Sequence, residues 1–217
     1  LLNGHIELGD IEINAKDSSF FCHIGTPSAR GIGWWQLLWN GVGAHGALNG
    51  AIAEAHSIHV RLQKSMYDVR CSKFKIALPD SLIIADSLEI RPIVNDNAFF
   101  DECEFRKTRF NMSMPQLKIH GFSLLEQLKG KSFRASALQV HDATINILVN
   151  MYKSCEPDSI KIKSSSNLLR TLSEKIQIDS FNIENTNVEY GESAARDSIP
   201  KDGYKFHCGQ LHASVND

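Results

Sequence analysis

What this chain lacks narrows its possible functions before any motif is considered. There is no uncharged apolar run near the ~20 residues a membrane-crossing helix needs. There is no excess of either charge sign: 23 Lys and Arg against 25 Asp and Glu leave a formal net charge of −2 over 217 residues. That balance argues against a basic nucleic-acid binder. No CxxC pair occurs among the five cysteines, and an odd count over a chain this long does not read as a disulfide framework. No GxSxG elbow is present, and the glycine-rich Gly41 to Gly46 lacks the Lys-Ser/Thr that would follow in a phosphate loop. Long helical periodicity is also missing. Hydrophobic residues still make up 42%, enough for a packed core.

What is present is period-two alternation, the mark of half-buried strands. One pattern recurs: apolar, x, apolar, two small or polar residues, then apolar, x, apolar. It is found at Ile6 to Ile13, Ala53 to Val60, Ile83 to Ile90, Leu138 to Ile145 and Ile176 to Ile183. In a flat strand the two central residues would turn the second apolar set to the opposite face. A bulge or bend at Gly9-Asp10, His56-Ser57, Asp86-Ser87, His141-Asp142 and Asp179-Ser180 would absorb the slip and keep one face apolar. Asp and Ser suit such bends through local side-chain hydrogen bonds.

A longer repeat encloses the short one. Residues 48–68 align without gaps on 133–153 at an offset of 85, and Gly31 to Trp39 align on Gly121 to Lys129 at an offset of 90. Ile11 to Ile13 correspond to Leu88 to Ile90, and Phe181 to Ile183 open a third copy. The expected division is a first β-repeat over 1–82, a second over 83–174 and a partial third over 175–217, forming one continuous unit. Short helical turns are expected at Trp34 to Asn40, Leu124 to Lys129 and Asn167 to Glu174. Alternation runs almost to both ends and the chain opens Leu1-Leu2-Asn3 without a leader pattern, so a piece of a longer protein is expected.

The order Gly121-Phe122-x-Leu124-Leu125-x-x-Leu128-Lys129-Gly130-Lys131, followed by Ala137 to Asn146, resembles the AsmA-like proteins of the bacterial envelope. So do Ile176 to Ile183 leading into Val188-Glu189-Tyr190-Gly191-Glu192, and Gly203 to Ala213; the versions from Bacteroidetes-type organisms are the most similar. The resemblance implies an elongated, U-shaped sheet with an apolar groove. It also implies a periplasmic position, tethering to the inner membrane through a segment outside this sequence, and a part in lipid movement and outer-membrane upkeep. The anchor helix of that family is not in this sequence, and the Trp-rich first repeat departs from its pattern.

The expectation is therefore a mainly β fold, an elongated and curved antiparallel sheet of ~85-residue repeats with short helical turns. Its function would be non-enzymatic: binding or conducting a phospholipid or other acyl chain along an apolar groove. The alternative is a structural or protein-interaction module whose inner face is fully packed. Candidate groove residues are Ile83, Ala85, Leu88, Ile90, Leu138, Val140, Ile145, Ile147, Ile176, Ile178, Phe181 and Ile183. Trp34, Trp35 and Trp39 are either a plug over the sheet end or interfacial aromatics, since indole suits membrane boundaries. No catalytic residue, cofactor, metal or nucleic-acid partner is expected. His56 with His59, and His207 with Cys208 and His212, have strand spacings that set neighbours on opposite faces. Asp101, Glu102 and Glu104 with Arg106, Lys107 and Arg109 read as a charge-laced exposed loop.

Overall fold

The computed structural model describes residues 4–33, 39, 46–122, 133–155, 176–194 and 204–214. The alternating segments all become strands of a single sheet. They are β1 (Gly4–Glu7), β2 (Ile11–Asn14), β3 (Phe20–Ile32), β4 (Ile52–Leu62), β5 (Tyr67–Ala77) and β6 (Leu82–Pro92). After helix α1 (Asp96–Asp101) come β7 (Thr108–His120), β8 (Phe133–His141), β9 (Thr144–Asn150), β10 (Ile176–Ser193) and β11 (Tyr204–Ser214).

The spatial order follows the chain: β1 and β2 lie end to end along β3, then β4, β5, β6 and β7. Beyond β7 come β8 and β9, again end to end, then β10 and β11. Neighbours pair antiparallel except at one place. β10 runs parallel to both β8 and β9, so the sheet is mixed where an antiparallel one was expected. The physical reason is that β9 ends at Asn150 and β10 starts beside Phe133, at the opposite end of the sheet. Such a return requires a crossover instead of a hairpin.

The expected bends fall on one line. Continuing the registers across the sheet sets Asp10 opposite Gly25; the β3–β4 register shifts there, Gly25 pairing with His56, and the line resumes at Ser57 and runs through Ser72, Ser87, Pro115, Asp142, Asn185 and Gly209. Every residue on this crease is small or of turn type. Ser57, Ser87, Asp142 and Asn185 carry φ of 51°, 50°, 54° and 48°, and Thr26 beside Gly25 has φ 41°. The left-handed region is uncommon for non-glycine residues, and Asn and Asp tolerate it best. Pro115 fits inside a strand because the ladder is interrupted there and no backbone donor is lost.

The fifth expected bend is misplaced. β10 keeps one register with β8 from Ile176 to Glu184, so there is no slip at Asp179-Ser180. The left-handed residue is Asn185, five residues further on, where Asp142 on one side and Gly209 on the other fix the crease. A local pattern selected the wrong dipeptide, and the neighbouring strands decided.

The expected helical turns at Trp34 to Asn40, Leu124 to Lys129 and Asn167 to Glu174 lie outside the described residues, apart from Trp39. Helix α1 was not expected. Its six residues are too few to display a 3.6-residue period, but Asn95 is a proper cap, accepting from the Ala98 backbone N–H at 2.9 Å. At the other end, the Lys153 ammonium donates to the carbonyls of Phe100 (2.6 Å), Asp101 (3.4 Å) and Cys103, covering acceptors that a helix end leaves unpaired. The helix presses Phe99, Phe100 and Cys103 onto Leu148, with Met66, Tyr67 and Tyr152 around them. Arg109, read from sequence as part of an exposed loop, is buried instead and donates to Asp96 at 2.9 Å. Asp101, Glu102 and Glu104 are exposed as expected.

Candidate functional site

Because each strand breaks at the crease, one face of the sheet stays apolar along its whole length. Residues opposite one another in a ladder share a face. On one side of the crease a single row runs Ile6, Ala29, Ala53, Ile76, Ile83, Ile119, Leu138, Phe181, Ala213. On the other side a second row runs Ile13, Cys22, Val60, Val69, Ile90, Met112, Ile145, Val188, Phe206. Two further rows flank the crease, carrying Phe74, Ala85, Leu117, Val140 and Ile183 on one side and Cys71, Leu88 and Met114 on the other. Val140 and Met114 pack together with Ala143, so the two sides of the crease form one surface.

That surface is only partly covered. Ile76, Ile83, Ile119, Leu138 and Phe181 are all half-buried, as are Val60, Val69, Ile90, Met112, Ile145 and Val188. Toward the β1–β2 edge it deepens into a trough of about 450 Å³, lined by Ile6, Leu8, Ile24, Ala53, Ala55, Ile58, Phe74 and Ile76 among others. The trough is within the size range of small-ligand pockets.

Ten of the twelve candidate groove residues share the apolar face: Ile83, Ala85, Leu88, Ile90, Leu138, Val140, Ile145, Ile147, Phe181 and Ile183. Ile178 does not: with no slip between it and Phe181, strand alternation turns it to the other side of β10, level with Ala135. The Ile176 side chain lies outside the described residues. Sequence reasoning missed the trough's own lining, chiefly Phe74 and Ile76 on β5. Their signal was present as Phe74-Lys75-Ile76, but β5 has Cys71-Ser72-Lys73 at the crease and does not spell the recurrent pattern. Trp39 is 79% exposed; Trp34 and Trp35 lie outside the described residues.

The opposite face is polar and laced with ion pairs. Glu54 receives Lys73 and Lys75, each at 3.5 Å, and His141 meets Glu184 at 3.0 Å. The most deeply set carboxylate is Asp68, 6% exposed, which accepts from Arg70 Nε at 2.9 Å, lies 3.4 Å from Arg61 Nε, and contacts His59 Nε2 at 2.5 Å. Burial pushes its carboxyl up, but hydrogen bonds from His59 and Arg70 and their charge outweigh burial and hold it below the ordinary value. A carboxylate whose pKa is depressed by folding stabilises the fold above the unfolded value, and that stabilisation is lost as pH falls through the folded one. Asp68→Asn is therefore expected to lower the melting temperature at neutral pH. The gap to the parent should narrow below about pH 4, near the ordinary carboxylate value. Melting curves from pH 7 to pH 3 measure this, and a gap constant across that range would contradict the assignment.

His23, His59, Arg70 and Glu89 border a second hollow of about 470 Å³ on this polar face. Here His59 is committed to Asp68, and His23 lies 3.2 Å from the Ser57 carbonyl oxygen. His56 is exposed and lies opposite Lys73, so it does not join His59. His207 and His212 are exposed on β11 and Cys208 is on the apolar side. Among the described residues no three His, Cys, Asp or Glu side chains gather as a metal cluster would require. No described helix is long and apolar enough to cross a membrane. The chain is thus a mainly β protein built on one large mixed sheet. Comparison with protein-family models, with curated proteins and with solved structures returns no match.

Proposed function

We propose that this chain is a non-enzymatic β-module of a bacterial envelope protein, and that its apolar face holds acyl chains. The observation that carries the reading is the continuity of that face. Four rows of apolar side chains cross the whole sheet, the outer two largely half-exposed, and three of the four run into the 450 Å³ trough. Exposed apolar surface on this scale marks a binding surface. An acyl chain asks for little more than a continuous apolar channel with few polar interruptions. Thr186 is the polar member of the four rows.

The repeat expected from the sequence supports the same reading. Ser57 and Asp142 occupy the crease 85 residues apart, Gly25 and Pro115 occupy it 90 apart, and Asp10 and Ser87 occupy it 77 apart. Those are the offsets at which the sequence aligns with itself. Gly31 and Gly121, also 90 apart, have φ of 73° and 69° at the ends of their strands. A Cβ would strike the Gly50 carbonyl oxygen at one and the Ser136 side chain at the other. A repeating strand unit that extends one apolar face is the architecture that the resemblance to AsmA-like proteins implies. Periplasmic placement and an inner-membrane tether outside this sequence belong to the same proposal.

The test is direct. Purified from a bacterial host and analysed by native mass spectrometry with solvent extraction, the protein is expected to carry phospholipid or fatty acid in near-stoichiometric amount. A lipid-free chain that also fails to take up lipid from vesicles would overturn the reading. It would favour the alternative, a structural module whose apolar face is sealed by protein.

A further inference from the structure

Charge is nearly absent from the apolar face, and where it occurs it is set at the strand ends. Among the described strand residues, the charged side chains on that face are Arg134 on β8, and Asp179 and Glu192 on β10. Glu192 is already engaged by the Tyr190 hydroxyl, which donates to it at 2.6 Å. Arg134 and Asp179 stand together at the other end of the sheet, both exposed. Arg134 is the one lysine or arginine on the apolar face among the described residues. On the polar face, by contrast, carboxylates such as Glu54 and Asp68 are met by cations.

Strand alternation fixes this placement. β8 and β10 keep one parallel register from Phe133 beside Ile176 to His141 beside Glu184. Arg134 is therefore level with Gln177, and with Asp179 it shares the face of Leu138 and Phe181. At about 3.3 Å per residue, Asp179 is about 7 Å along its strand from Phe181, and Arg134 about 13 Å from Leu138. The polar corner begins where the apolar row stops. Arg134 Nε donates to Gln177 Oε1 at 2.6 Å, which holds the guanidinium by one edge. Among the described residues neither Arg134 nor Asp179 belongs to an ion pair. A cation and an anion thus lie side by side on the ladder without neutralising one another.

Resting on the acyl-binding role proposed above, we infer that this corner receives the lipid headgroup and selects a zwitterionic phospholipid, whose headgroup carries both a phosphate and an ammonium. A planar guanidinium anchored at Nε still offers its two terminal NH2 groups to phosphate oxygens. Asp179 offers its carboxylate to the ammonium. An anionic phospholipid with a neutral alcohol in place of the ammonium satisfies Arg134 but brings its phosphate toward Asp179 with nothing to compensate. A fatty acid supplies one charge where the corner presents two. From the corner the acyl chains pass directly onto Leu138 and Phe181 and the apolar rows beyond.

Lipid uptake by the whole chain, stripped of lipid beforehand, tests this. The vesicles hold equal parts phosphatidylethanolamine and phosphatidylglycerol, with diacylglycerol as a probe that has acyl chains but no headgroup charge. The protein is re-isolated and its lipid counted by mass spectrometry. The parent is expected to take the ethanolamine lipid over the glycerol lipid by about threefold or more, the scale of exposed charge pairs. Asp179→Asn should bring that ratio close to one, and Arg134→Gln should cut uptake of both phospholipids about tenfold. Diacylglycerol uptake should be the same in parent and variants, which shows that the variants fold with the apolar face intact. A parent without preference, or variants that leave phospholipid uptake unchanged while diacylglycerol still binds, would overturn the headgroup site and leave the acyl-binding face standing. Parallel loss of diacylglycerol from the variants would also overturn it, as a general disturbance of the sheet. A chain that takes up none of these lipids would overturn both readings.

Discussion

Replacing Phe99 by alanine is expected to lower the melting temperature by roughly 10 °C or more. Phe99 is 2% exposed and sits edge-on to both Tyr67 and Phe100, with ring centroids 5.7 and 5.5 Å away. Truncating a buried Phe costs about 3–5 kcal/mol, and in a chain of this size each kcal/mol moves the midpoint by about 2–4 °C. The effect is large because the sheet has few sealed places. Most of its apolar side chains are half-covered, whereas the cluster of Phe99, Phe100, Cys103 and Leu148 is closed on all sides by α1 and its flanks. Loss of that plug also frees Arg109, whose partner Asp96 is in the first turn of α1. Thermal unfolding followed by circular dichroism measures the shift. A change under 3 °C would mean that α1 is dispensable and the sheet's stability lies elsewhere.

The strands were legible in the sequence because half-buried strands write their alternation directly into it. Four of the five bends were legible for a related reason. An extra residue that keeps one face apolar must be small or turn-forming, and Asp10, Ser57, Ser87 and Asp142 are. What the sequence could not disclose was set between strands. The bend of β10 is at Asn185 because Asp142 and Gly209 flank it, and no window on β10 alone contains that information. The same holds for the parallel pairing of β10, which depends on where a distant strand ends. Helix α1 escaped through brevity, and its Asn95 cap was the only local sign. For the candidate site, the error at β10 carried straight through: reading a slip at Asp179-Ser180 turned Ile178 to the wrong side. Phe74 and Ile76 were overlooked because β5 carries the other order of residues around the crease.

On the proposed acyl-binding role, filling the trough is expected to abolish lipid uptake without harming the fold. Ala55 lies opposite Phe74 on the apolar face and lines the 450 Å³ space, so Ala55→Trp sends an indole into room that is open to solvent. Overpacking is costly where a core is sealed, but Ala55 is only half-buried and its neighbours Ile58 and Ile76 are too. The melting temperature should stay within a few degrees of the parent, while lipid recovered on extraction falls at least about tenfold, since the displaced chain loses its deepest contacts. Lys118→Trp supplies the control. Lys118 is on the polar face, between Ile84 and Gln139, and an indole there should leave lipid content unchanged. Equal loss from both variants would point to a general disturbance of the sheet. Retention of lipid in Ala55→Trp, with folding intact, would place the acyl chain away from the trough and remove the physical basis on which this surface is assigned its role.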